Sequence, residues 1–188
     1  PLLVLLFFSK EYSSLFKNIN KKFLSLCCFR GLSFLAMNIF IFISVINVEF
    51  ATAMTLTFSS PFFIVILSII FLQDKVGIYR WSAIIIGFLG VVLILRPTSD
   101  IFNYYSIYSI LTAFAWGVSV VILKFIPSNF STSKIQFYTL MFNVIGAFFL
   151  FVILSNDFTV NNLRDLLLMV LTGILGGTAA ILFVYAYR

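Results

Sequence analysis

Residues Ala51–Leu72 read ATAMTLTFSSPFFIVILSIIFL, and no charged side chain interrupts these 22 positions. As a helix rising 1.5 Å per residue, a stretch of this length crosses a hydrocarbon core about 30 Å thick. Its first half is unusual for a membrane helix. Thr52, Thr55, Thr57, Ser59 and Ser60 crowd together just before Pro61. Proline has no N–H to give, so Pro61 removes one helical hydrogen bond and loosens the helix near mid-membrane. Neighbouring hydroxyls can re-satisfy the freed backbone groups. The segment therefore reads either as a weakened wall of a cavity or as a packing kink.

Similar apolar stretches lie on both sides. They run over Phe29–Val48, Trp81–Leu95, Tyr104–Phe125, Ile135–Leu154 and Leu166–Tyr187, the Trp81–Leu95 span being able to begin near Ile78. Pro1–Phe8 is expected to be the tail of a further span, with both ends of the chain cutting through a longer protein. The fold class is accordingly an all-α membrane protein, a polytopic helical bundle. Composition agrees. The 188 residues are 62% hydrophobic and 10% charged, with a mean hydropathy of +1.16. A soluble domain carries about 25% charged residues, so too little polar surface is left to cover a soluble core.

Charge sets the expected orientation. With spans alternating, Lys10, Lys17, Lys21, Lys22, Arg30, Lys75, Arg80, Lys124, Lys134 and Arg188 fall on one side, ten of the 12 basic residues. Only Arg96 and Arg164 fall on the other. The positive-inside rule then makes loops 9–22, 73–80 and 124–134 cytoplasmic, in a cell inner (plasma) membrane. The net charge of +6 is thus a topology signal and not a nucleic-acid footprint. Arg30 and Lys124 are expected to snorkel at cytoplasmic helix ends.

Chemistry-bearing residues are sparse. There are 25 Phe and no His. The adjacent Cys27 and Cys28 read as small apolar helix residues on a reducing side. No metal set, nucleophile triad or phosphate loop is present in the pattern, so no enzyme, metal or cofactor is expected. No acid or base falls near the middle of an expected span. Gly173 and Gly177, and Gly87 and Gly90, are spaced to let helices approach closely, and the first pair admits a homodimer.

Order and spacing add a resemblance. The chain reads RGLSF over 30–34, ATAMTLTFSSPFF over 51–63, FLQDKVGIYRW over 71–81 and GFLGVVLILRP over 87–97. This succession resembles the EamA-type repeat of the drug/metabolite transporter superfamily. Pro61, Asp74 and Gly90-Val91 take the places of its mid-span proline, helix-end acid and closing Gly-Val. Asp74 stands where the family usually has Glu, and Ala83 where it often has Gly. The resemblance implies a ten-helix inverted-repeat (5+5) architecture. Residues 1–97 would then be the C-terminal part of a first repeat and 98–188 the N-terminal part of a second. It also implies a secondary transporter of a small organic metabolite, working by alternating access with substrate near mid-membrane. The partners expected are the lipid bilayer and that small molecule. Asn38, Thr55, Trp116, Asn143 and Thr178, polar or aromatic at comparable depth, are the expected substrate-binding residues. Pro61 and Asp74 are the expected kink or gate, with Asp74 tied to Lys75, to Arg80 or to the gate. The competing readings are a non-transporting membrane assembly or partner protein and, more remotely, a lipid-modifying enzyme.

Overall fold

A computed structural model describes residues 19–96, 103–154 and 163–187. The described chain forms helices joined by short turns: α1 (Lys21–Asn47), α2 (Phe50–Thr57), α3 (Ser60–Leu67) running on into a π-turn (Ser68–Leu72), α4 (Ile78–Leu95), α5 (Ser106–Phe125), α6 (Thr132–Leu154) and α7 (Leu163–Tyr187). No strand occurs among the described residues. Among the described residues, four segments are long and apolar enough to cross a membrane: Lys21–Asn47, Phe50–Leu72, Ser106–Phe125 and Thr132–Ile153. Ile78–Ile94 and Val170–Ala179 are apolar but shorter. The expected stub Pro1–Phe8 lies outside the described residues.

Helix α1 begins at Lys21, two turns before the apolar run that predicted it. The expected span Ala51–Leu72 is interrupted, as its proline foretold. At the far end of the π-turn, Gln73 adopts a left-handed conformation (φ 56°), and the Asp74 N–H reaches back to the Ser68 carbonyl at 3.4 Å. Arg96, also left-handed (φ 45°), ends α4 by donating its N–H to the Val92 carbonyl at 3.0 Å. Ser131 precedes α6 and accepts the Lys134 N–H on its Oγ at 3.3 Å, the geometry of an N-cap.

The described residues fall into two compact units, one comprising residues 19–31 and 126–187, the other lying within Leu32–Phe125. In the second unit α5 is the central helix. Its buried face carries Ser106, Ser109, Thr112, Ala113, Gly117 and Val120, at helical spacing. Ile107, Ile110 and Phe114 point outward. Small and hydroxyl-bearing side chains thus face the protein, and bulky apolar ones face away. That is the arrangement of helices in lipid, where close packing replaces hydrophobic expulsion from water. Ser44 and Ser109 hydrogen-bond each other at 2.6 Å and tie α1 to α5. At Gly117 the backbone of α3 comes so close that an added Cβ would sit 3.1 Å from Cβ of Phe63 and 3.3 Å from the Ile64 nitrogen.

In the unit of residues 19–31 and 126–187, α1 lies against α6. Phe23 stacks on Phe130 with ring centres 4.2 Å apart and meets Tyr138 edge-on at 5.6 Å. The Lys134 ammonium lies over the Phe23 and Phe130 rings at 5.8 and 5.4 Å. A Cβ on Gly31 would stand 2.7 Å from the Thr139 carbonyl oxygen and 2.8 Å from Cβ of Phe142. The close approaches therefore occur at Gly31 and Gly117. At Gly87, Gly90 and Gly173, which the spacing singled out for packing, an added Cβ meets nothing within 4 Å. Spacing identifies which glycines share a face, and only the packed neighbours show which face is crowded.

A substitution series tests this contrast. Gly31→Ala forces α1 and α6 apart and is expected to cost about 1–3 kcal/mol, the range for overpacking. Gly87→Ala is expected to be neutral or stabilising by up to about 1 kcal/mol through helix propensity. Thermal unfolding in detergent checks both, and equal melting temperatures would remove the distinction.

Candidate functional site

The interruption of the span Phe50–Leu72 is built locally. Helix α2 stops at Thr57, Phe58 and Ser59 form a turn, and Pro61 occupies the first turn of α3. A proline is tolerated there because that N–H has no intrahelical acceptor. Around the turn the backbone tightens. The Ser59 N–H donates to the Leu56 carbonyl at 3.1 Å, and the Phe62 N–H to the Ser59 carbonyl at 3.0 Å. Hydroxyls complete the pattern. Ser59 Oγ donates to the Leu56 carbonyl (2.6 Å), Thr57 Oγ1 to Ala53 (2.9 Å) and Thr55 Oγ1 to Ala51 (2.8 Å). Their protons are thus committed to the backbone, and what they can still offer is acceptor lone pairs.

Trp116 is half-buried at the middle of α5. Its ring meets Phe34 of α1 edge-on, with ring centres 5.4 Å apart. Asn38 lies one helical turn beyond Phe34 and is also half-buried. These two expected site residues are therefore neighbours of one aromatic contact. Thr55 is buried within α2. Asn143 on α6 and Thr178 on α7 belong to the other unit, where each is half-buried. Thr178 Oγ1 donates to the Leu175 carbonyl at 2.8 Å.

Asp74 is exposed and accepts a hydrogen bond from Ser68 Oγ on Oδ2 at 3.0 Å. It forms no ion pair with Lys75 or Arg80 among the described residues. Its partner lies back along its own chain because the π-turn brings Ser68 under it. Pro61 lines a cleft of about 380 Å³ together with Phe58, Arg80, Ala83, Ile84, Gly87, Phe88 and Val91. None of the five expected substrate-binding residues lines that cleft.

Arg30 departs from the snorkelling expectation. Because α1 begins at Lys21, Arg30 stands nine residues into the helix, about 13 Å from its start. It is 1% exposed. One guanidinium nitrogen, Nη1, donates to Gln136 Oε1 at 3.2 Å and to Thr139 Oγ1 at 2.9 Å on α6. Thr139 in turn donates to the Ile135 carbonyl at 2.8 Å. Sequence reasoning passed over this cluster. A usable signal existed in the i, i+3 spacing of Gln136 and Thr139, which puts both acceptors on one face of α6.

Long apolar helices, outward-facing Phe and Ile and a hydroxyl-rich interior define a multi-pass helical membrane protein. The chain belongs to the EamA-like transporter family, whose model matches residues 1–96. It is similar to a riboflavin transporter of Rhizobium johnstonii, 40% identical over 72 residues, 38% of this chain and 24% of that protein. An S-adenosylmethionine uptake transporter of Rickettsia bellii is 33% identical over 88 residues, 47% of this chain and 30% of the relative. The pseudopaline exporter of Pseudomonas aeruginosa is 28% identical over 123 residues, 63% of this chain and 41% of the exporter. The aligned segments thus span less than half the length of these relatives. No solved structure matches the chain.

The buried cluster makes a prediction through a double-mutant cycle. Gln136→Leu removes an acceptor from an enclosed guanidinium and is expected to cost about 1.5–3 kcal/mol. Adding Arg30→Met to it is expected to recover part of that loss, because the stranded charge is gone. Strict additivity of the two changes in unfolding measurements would show that the pair is uncoupled.

Proposed function

We propose that the chain is part of a secondary transporter that carries a small organic metabolite across a cell inner membrane by alternating access. The observation that carries this reading is the interrupted span at Pro61. A break inside a membrane helix is tolerated where protein or a water-filled cavity meets it, and such breaks recur at transport pathways. Family membership and the names of the relatives support it. In this reading residues 1–97 and 98–188 are portions of two inverted repeats of a ten-helix protein. Loops 9–22, 73–80 and 124–134 face the cytoplasm in this reading.

Asn38 and Trp116 head the proposed substrate contacts. Trp116 offers an aromatic face, and Asn38 offers both a donor and an acceptor. Thr55, Asn143 and Thr178 are retained as further polar positions. The relatives are named for riboflavin, S-adenosylmethionine and pseudopaline. A substrate with a planar, nitrogen-containing ring fits an aromatic wall with an amide beside it. Pro61 acts as the hinge, and Asp74 holds the end of its helix through Ser68.

Flux of riboflavin, S-adenosylmethionine, nucleosides and amino acids by the full-length protein in proteoliposomes tests the reading. No flux across the panel would count against it. Trp116→Ala is expected to lower flux about tenfold, the loss of an aromatic contact of about 1.5 kcal/mol. Folded yield is expected to change much less, and parallel losses would mean that Trp116 only packs. Pro61→Ala restores a backbone N–H at the break and lifts the proline's constraint on the helix. It is expected to raise thermal stability while slowing flux, and unchanged flux would remove the hinge role.

A further inference from the structure

Helix α4 leaves one face open within its unit. Arg80, Ala83, Ile84, Gly87, Phe88 and Val91 follow one another along that face at helical spacing and form a wall of the 380 Å³ cleft. Phe58 and Pro61 form the other wall, where the neighbouring span is interrupted. Phe62 bridges the two sides, edge-on to Phe88 with ring centres 5.4 Å apart and 6.4 Å from the Trp81 ring. The space at Gly87 is open, since a Cβ there would meet no atom within 4 Å.

Charge and length restrict what fits. The lining is apolar except for Arg80, which lies in the first turn of α4. Asp74, six residues earlier, is bonded to Ser68, and among the described residues the Arg80 guanidinium has no carboxylate partner. From Arg80 to Val91 the face extends about 16 Å at the helical rise. One leaflet of a hydrocarbon core is about 15 Å deep. An apolar groove one leaflet long with a cation at its headgroup end matches an acyl chain and an anionic headgroup.

We propose that this cleft is a binding site for an anionic glycerophospholipid, its acyl chain lying along Ala83, Gly87 and Val91 and its phosphate meeting Arg80. The lipid lies along α4 and supports it against α3. This assignment is independent of transport, because it requires only that the span sit in a bilayer.

Trp81 provides the reporter. The full-length protein, with Trp116 and every tryptophan outside these 188 residues replaced by Phe so that Trp81 alone remains, is reconstituted into bilayers containing phosphatidylglycerol or phosphatidylcholine brominated in the upper acyl chain. Quenching of Trp81 is expected to give an apparent affinity about fivefold higher for phosphatidylglycerol, the factor for one basic side chain at an anionic headgroup. Arg80→Gln, an exposed change, is expected to equalise the two lipids. Gly87→Leu is expected to weaken quenching by both, with folding checked by circular dichroism. Equal affinities in the parent, or a preference that survives Arg80→Gln, would overturn the proposal. Quenching by neither lipid would mean that protein fills the cleft, and would overturn it as well.

Discussion

A hydrocarbon interior offers no hydrogen-bonding partner to a peptide backbone, and the rest of this structure follows from that constraint. Each span must satisfy its own N–H and C=O groups, so the apolar stretches become helices. Where Pro61 breaks the ladder, the chain answers locally. Ser59, Thr57 and Thr55 give their hydroxyl protons to carbonyls three or four residues back. The crowd of hydroxyls before the proline is therefore part of the break itself.

The same solvent turns the interior inside out. Large apolar side chains gain nothing by leaving lipid, so they stay on the outside, while Ser, Thr, Ala and Gly face the neighbouring helices. On α5 this gives a seam of small residues along which α3 comes within contact of Gly117. On α6 it gives room for Arg30, Gln136 and Thr139 to meet. A buried cation is costly in a low-dielectric setting unless hydrogen-bonded, and here two neutral oxygens on successive turns of α6 receive one guanidinium nitrogen. The cluster therefore depends on the close approach that Gly31 permits.

The candidate site illustrates how far sequence reasoning reaches. Asn38 and Trp116 share polarity or aromaticity at depth; Trp116 meets Phe34, and Asn38 lies one helical turn along from Phe34. Thr55 met the same criterion but is enclosed in α2 with its proton given to Ala51. Depth along a helix is readable from residue number, whereas the direction a side chain takes depends on which neighbour packs against that face. The cleft beside Pro61 escaped notice for a related reason. Apart from Arg80 and Pro61 it is made of Phe, Ala, Ile, Gly and Val positions that carry no chemistry individually.

Composition, charge and spacing were enough to establish a helical membrane protein, to locate its apolar segments and to mark Pro61 as the point of interruption. Those features depend on transfer between water and lipid and on local backbone chemistry, both properties of short stretches of chain. Packing decided the remainder. It showed that Gly31 and Gly117 take the close contacts while Gly87 and Gly90 border open space. It also drew Arg30 inward to α6 and turned Asp74 toward Ser68. Such outcomes require residues up to 109 positions apart to meet, as Arg30 and Thr139 do. No local pattern encodes that meeting, because it depends on how the helices settle against one another.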